Sequence, residues 1–172
     1  MWYMKPVRVT IDVPTPRDEV FEFLDVMANH EPFTNHMLVD WQYAGPARGV
    51  GSKARVRAKL GGTSERVEIE VVSAKAPETI VERNVSAGGK RVATGTYTLS
   101  ELPSGGTAIT FEYAWQQAPL RDRMAAPLVR SILRRGNEQA MQRLAQQLAS
   151  AQAVATEVST NTNANAAHIG QS

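Results

Sequence analysis

Glu82 is the carboxylate of this 172-residue chain best placed for acid–base work. It lies in a strand-forming stretch, about Thr79 to Val85, which Gly88-Gly89 turns into a second one, Lys90 to Leu99. If those glycines form a two-residue turn, Ile80 stands opposite Tyr97, Glu82 opposite Gly95 and Asn84 opposite Ala93. Paired residues share a face of a sheet, so an inward Tyr97 brings Glu82 and Asn84 inward with it. Hydrophobic counting argues the other way: Val81 and Val85 favour the interior and would carry Arg83 with them. A carboxyl group among aromatic side chains is desolvated and suited to proton transfer. The bland alternative is a glutamate that faces solvent or pairs with an arginine.

Other chemistry is harder to assemble. His30, Glu31 and His36 offer two imidazoles and a carboxylate, but their spacing is not the helical i, i+4 of a zinc site. The remaining histidine, His168, is near the C-terminus, so no metal is expected. Ser52 and Ser131 lack the flanking glycines of a nucleophile elbow. Gly45-Pro-Ala-Arg-Gly-Val-Gly51 precedes a strand rather than a helix, which fails the dinucleotide fingerprint. Trp41, Tyr43, Tyr97, Phe111, Tyr113 and Trp115 form an aromatic set that reads as pocket lining or as plain core, and residue types alone favour core.

Composition narrows the classes. With 42% hydrophobic and 21% charged residues, the chain reads as one globular domain with a real core. No run of ~18 apolar residues predicts a membrane span. The opening Met-Trp-Tyr-Met-Lys-Pro lacks a basic region followed by an apolar run, so no signal peptide is expected. The absence of cysteine excludes disulfides, thiolate metal sites and a cysteine nucleophile, and fits a cytoplasmic location. A net charge of +2 is too small to argue for nucleic acid, and oligomeric state is not legible.

The elements that must hold these residues follow from periodicity. Val7, Val9, Ile11 and Val13 alternate with polar residues as a half-buried strand. Thr15 as N-cap and Pro16 at the first helical position open a helix that carries Val20, Phe21, Leu24 and Met27 to the core. A second short helix or turn spans Asn29 to His36. Strand two, Met37 to Tyr43, puts Met37, Val39, Trp41 and Tyr43 on one face. Strand three alternates Lys53, Arg55, Arg57 and Lys59 with apolar residues, and Gly61-Gly62 turns it into strand four. That turn sets Arg55 opposite Glu68 and Lys53 opposite Glu70, a solvated, cross-strand-paired face. Strand seven lines up Ile109, Phe111, Tyr113 and Trp115. From about Pro119 to Ala149 an apolar stripe at spacings of three and four predicts one long helix, kinked at Pro127 and notched at Gly136. Arg123, Arg130 and Arg134 share its outer side as a solvated face. Residues 150–172, rich in Ala, Asn, Thr, Ser and Gln, have no sustained period and read as a disordered low-complexity tail beyond the 1–149 domain.

This order, with Val9-Thr-Ile-Asp-Val-Pro-Thr-Pro-Arg-Asp-Glu-Val-Phe-Glu-Phe-Leu24, resembles the SRPBCC superfamily of START lipid-transfer domains and birch-pollen-allergen-like proteins. Gly95-Thr-Tyr-Thr-Leu99, Gly105-Gly-Thr107 and the terminal helix with its internal proline are similar to the polyketide cyclase/dehydrase-like branch. The resemblance covers roughly Pro6 to Ala149. It implies an α+β helix-grip fold: a curved seven-stranded antiparallel sheet wrapped around the long C-terminal helix, with two short helices between strands one and two. It also implies a cavity between sheet and helix, which turns the aromatic set into pocket lining, joined by Met124, Leu128 and Ile132 from the helix. His36 would sit at the cavity mouth, bonding a ligand or a backbone carbonyl. The implied function is binding or carriage of a small hydrophobic or aromatic molecule, lipid or polyketide-like, with no cofactor. A cyclase or dehydratase using Glu82 and His36 is the first alternative, and a protein-interaction module with a filled interior the second.

Overall fold

The computed structural model describes residues 3–169. Seven strands make one antiparallel sheet: β1 Val7–Val13, β2 Leu38–Ala44, β3 Lys53–Leu60, β4 Thr63–Lys75, β5 Thr79–Ser86, β6 Arg91–Glu101 and β7 Thr107–Gln117. Their spatial order is β1-β7-β6-β5-β4-β3-β2, so each hairpin neighbour pairs and β1 closes against β7. Between β1 and β2 lie α1 Arg17–Leu24, a short 3-10 turn Met27–Asn29, and α2 His30–Thr34. After β7 come α3 Leu120–Met124 and α4 Ala126–Ile169. This is the α+β helix-grip architecture.

Turn chemistry sets the register. Gly61 and Gly62 both have positive φ and join β3 to β4 as a two-residue turn, pairing Leu60 with Thr63, Arg55 with Glu68 and Lys53 with Glu70. Between β5 and β6 the connection is longer than two residues: Ala87–Gly89 form a 3-10 turn and Ser86 pairs with Arg91. The loop keeps the same centre, so Ile80 still meets Tyr97, Glu82 meets Gly95 and Asn84 meets Ala93. Ile80 and Glu82 are both buried and Arg83 is exposed.

Three local readings change. Helix α1 starts at Arg17 with Pro16 as its N-cap, and Thr15 is buried, its carbonyl accepting the Thr107 hydroxyl at 2.7 Å instead of its side chain capping the helix. The single kinked helix is two helices: Ala125 leaves helical geometry, and Pro127 falls in the first turn of α4, where its missing N–H costs nothing. Helix α4 also runs on through 150–169, the stretch read as a tail. Alanine is the strongest helix former, and Ala149, Ala151, Ala153 and Ala155 extend the helix outward from its anchored part. Among the described side chains its last buried one is Leu148, and Val154 and Val158 are exposed.

The apolar interior has two parts. The larger gathers Val20, Phe21 and Leu24 of α1, Phe33 of α2, inward residues of the strands, and Ala140, Met141, Leu144 and Leu148 of α4. The smaller joins Met4, Val7, Ala93 and Trp115 to Ala126, Val129 and Leu133 at the start of α4. A Cβ at Gly136 would come within 3.0 Å of Met37 Sδ, so the missing side chain lets α4 approach the start of β2 closely.

Candidate functional site

Where the two apolar clusters fail to meet, a cavity of about 520 Å³ opens between the sheet and α4. Sealed and dry, an apolar void of that size would cost on the order of 12 kcal/mol at ~24 cal/mol per Å³, as much as a whole domain's stability. The space is therefore one that solvent or a ligand fills. Gly61, Thr63, Ser64, Arg121 and Leu128 are the exposed members of its lining and mark the open side.

The closed side is built on Glu82. It reaches the cavity because β5 and β6 keep the register above, and its partner Gly95 leaves room for Phe111 and Asn84 beside it. A Cβ at Gly95 would lie 3.1 Å from the Phe111 ring and 3.3 Å from Asn84 Nδ2. Opposite Glu82 stands His30, the first residue of α2, with Nδ1 3.2 Å from Glu82 Oε1. The side chains are only 5% and 6% exposed. The other imidazole nitrogen, Nε2, is 2.7 Å from the Leu24 carbonyl oxygen at the end of α1. Both ring nitrogens thus face acceptors, and a neutral imidazole can donate from only one. An imidazolium donates from both and so meets both contacts. Burial pushes the His30 pKa down, but the Glu82 contact and the Leu24 carbonyl outweigh it, leaving the histidine above its ordinary value. Tyr97, whose ring lies edge-on to His30 at 5.6 Å, is held well above the ordinary tyrosine range by burial and by the Glu82 charge.

A second ionic group stands nearer the opening. Arg91 at the start of β6 donates to Asp122 of α3 at 2.7 Å through Nε, bonds Glu65 of β4, and reaches the Ser86 hydroxyl at 3.0 Å. Arg121 lies 3.6 Å from both Glu65 and Asp122. This cluster ties the short helix α3 to the ends of β4 and β6. Burial also raises Tyr113, to about 12.

The aromatic set divides. Trp41, Tyr97, Phe111, Tyr113 and Trp115 line the cavity, as do Leu128 and Ile132. Tyr43 does not: it lies toward the end of edge strand β2, 46% exposed, and donates its hydroxyl to Glu31 at 2.5 Å. Burial and that bond raise the Tyr43 pKa. Met124 is 79% exposed, because the break at Ala125 ends α3 and turns its last residue to solvent. His36 is outside the cavity too, its Nε2 2.8 Å from the Gly136 carbonyl oxygen, a tie between α4 and the turn before β2. Partial burial, with Arg143 nearby, lowers its pKa. His30, Glu31 and His36 therefore point to three different places.

Sequence reasoning weighed His30 only as a metal ligand and passed over the Arg91 cluster. His30 had a signal: with Met27 and Phe33 it forms an i, i+3, i+6 set on the buried face. The Arg91 group joins β4, β6 and α3, and no local spacing connects those.

The family model for polyketide cyclase / dehydrase and lipid transport matches residues 4–149. Among solved structures, TTHA0849 from Thermus thermophilus is similar with a TM-score of 0.67 at 17% identity, over 86% of this chain and 99% of that one. Ara h 8.0201 gives 0.61 at 14% identity, over 85% and 98%. DynU16, from the dynemicin biosynthetic locus, gives 0.57 at 21% identity, over 85% of this chain and 48% of that one. At such identities the likeness concerns the fold alone. No curated protein matches the sequence.

Proposed function

The chain belongs to the polyketide cyclase / dehydrase and lipid transport family of the SRPBCC superfamily, and from that premise we propose that it binds or carries a small hydrophobic or aromatic molecule between sheet and α4. The observation that carries this reading is the open cavity of about 520 Å³ lined by Trp41, Phe111, Tyr113, Trp115 and Ile132. Concave, largely apolar spaces with a few convergent polar groups are where small ligands bind. The same reading puts the protein in the cytoplasm, acting on a small molecule and not on nucleic acid. It takes 1–149 as the ligand-binding domain. Native mass spectrometry of protein purified from its own host tests it: a co-purified small molecule supports it. No adduct, together with no uptake of the neutral probe N-phenyl-1-naphthylamine, rejects it.

The buried Glu82–His30 pair favours a second reading, a cyclase or dehydratase acting on a polyketide-like substrate. The carboxylate would take a proton from a methylene flanked by carbonyls, and the resulting enolate would attack another carbonyl of the same chain. The proton then passes to the new alkoxide. Glu82→Gln separates the readings: binding kept with turnover lost supports the enzyme, and binding without turnover in either form leaves the carrier.

A further inference from the structure

The outer face of the sheet carries a ladder of opposite charges in which one rung is reversed. On β3, Lys53, Arg55, Arg57 and Lys59 alternate with buried Ala54, Val56 and Ala58, so the four cations point away from the cavity. The register sets Lys53 opposite Glu70 at 3.6 Å and Arg55 opposite Glu68 at 3.0 Å. The next rung sets Arg57 opposite Arg66, and the one after it Lys59 opposite Ser64. Like charges directly opposite are destabilising, so the Arg57–Arg66 rung works against the pairing its neighbours support. Strand β2 corrects half of it. A bulge between Val39 and Gln42, with Asp40 in left-handed geometry at φ 58°, brings the Asp40 carboxylate to 2.6 Å from Arg57. Bulges at sheet edges re-aim side chains in this way. Among the described residues, Arg66 and Lys59 make no ion pair.

Beside the bulge lies a groove of about 560 Å³, and its lining includes Asp40, Gln42, Arg55, Arg57, Ser64 and Arg66. The Ser64 hydroxyl is 3.5 Å from Arg57 Nη1, and the Gln42 amide adds a further donor group. Around this space Arg55, Arg57, Lys59 and Arg66 stand against Asp40 and Glu68, so positive charge is in excess by two. We propose that the groove binds a phosphomonoester, whose dianion settles between Arg57 and Arg66 and supplies the charge that the reversed rung lacks. A guanidinium fork matches phosphate oxygens two at a time, and a phosphomonoester carries close to two negative charges at neutral pH. The site lies on the face of the sheet turned away from the cavity, so it does not depend on what the cavity holds.

The test is calorimetric titration with glycerol 3-phosphate, at an ionic strength held constant with sodium chloride. The expected result is saturable binding that Arg66→Gln weakens about tenfold, as loss of a charge-assisted contact does. Lys53→Gln, on a rung that is already paired, leaves it unchanged. Arg66→Glu completes the ladder: it abolishes binding and raises the melting temperature of the free protein by about 2 °C. The proposal is overturned if no saturable binding is seen, or if Arg66→Gln binds as tightly as the unmodified protein. It is overturned equally if Arg66→Glu lowers the melting temperature, since Arg66 would then already have a partner. Phosphatidylcholine vesicles with and without phosphatidate separate two sources of the same group. Retention by the phosphatidate vesicles places the phosphomonoester on a lipid head group, and binding of glycerol 3-phosphate alone places it on a soluble molecule.

Discussion

The closed and open sides of the cavity each hold an ionic group, and the two are built differently. On the closed side one imidazole meets one carboxylate, both more than nine-tenths buried, with Phe33 and Tyr97 packed around the imidazole. On the open side Arg91 has three partners, and Glu65 and Asp122 have a second cation in Arg121, which is 72% exposed. The first arrangement is desolvated and has no spare partner. The second is redundant and partly wet. Coulomb attraction is stronger where water is excluded, but so is the cost of losing one member.

The largest expected effect is therefore at His30. His30→Ala strips Glu82 of its partner cation and leaves the Leu24 carbonyl without the imidazole N–H. Removing one member of a buried pair costs about 3–5 kcal/mol, to be read from urea unfolding. A loss below about 1 kcal/mol, the size of an exposed pair, would erase the contrast between the two sides.

The same contrast sets a pH dependence. The His30 pKa is raised in the folded protein, so its pairing stabilises fully below the unfolded value near 6.5 and fades as pH rises through the folded value. His36 works in a separate window: its pKa is lowered, so stability falls as pH drops from that same unfolded value through the folded one. Melting temperature is expected to decline on both sides of about pH 6.5, and Glu82→Gln removes the alkaline decline. An unchanged alkaline limb in that variant would place its origin elsewhere.

Ligand access is sharpened at the rim. Ala125, half-buried where α3 meets α4, lines the cavity, whereas its neighbour Met124 is outside it. Ala125→Trp is expected to weaken uptake of N-phenyl-1-naphthylamine about tenfold, as one lost well-filled contact region does. Met124→Ser should leave uptake unchanged. Equal effects from both would move the opening onto the outer face of α3. On the open side's ionic group, Asp122 is itself buried, but Asp122→Ala leaves Arg91 with Glu65 and Ser86, so its cost should stay below that of His30→Ala, at about 1–3 kcal/mol.

These contrasts also show what a sequence discloses. The register expected for Glu82 matches the observed one because the β5–β6 connection widens by one residue on each side of the Gly88-Gly89 centre, which leaves every partner where a two-residue turn puts it. Hydrophobic counting at Val81 and Val85 would have turned the strand over. Helix phase was less legible around a break. Leu120, Met124 and Leu128 keep the spacing of one stripe, yet all three are exposed, since the chain restarts its helix at Ala126. From Ala126 onward the residues packed into the interior include Ala126, Val129, Leu133, Ala140, Leu144 and Leu148, a stripe displaced from the first. Partners joined only through tertiary structure, such as Arg91 with Asp122, leave no trace in local spacing.

The smallest effect is expected farthest from the cavity, where α4 outruns the domain. Residues 151–164 are exposed apart from a partly covered Gln152, with Val154 at 61% and Val158 at 60%. Their hydrogen bonds are those of a helix held at one end by Leu144 and Leu148. An exposed helical extension of such length is marginal in water, because its ordering entropy nearly offsets what its backbone bonds contribute. Deleting residues 151–172 should therefore shift the melting temperature by less than about 2 °C, within the range of a few tenths of a kcal/mol. It should also remove helical circular dichroism in proportion to the residues lost, which a tail without helix would not do. A larger thermal shift would mean that Val154 and Val158 are covered in solution, and the mass of the intact protein by light scattering would then tell self-association from docking onto its own sheet.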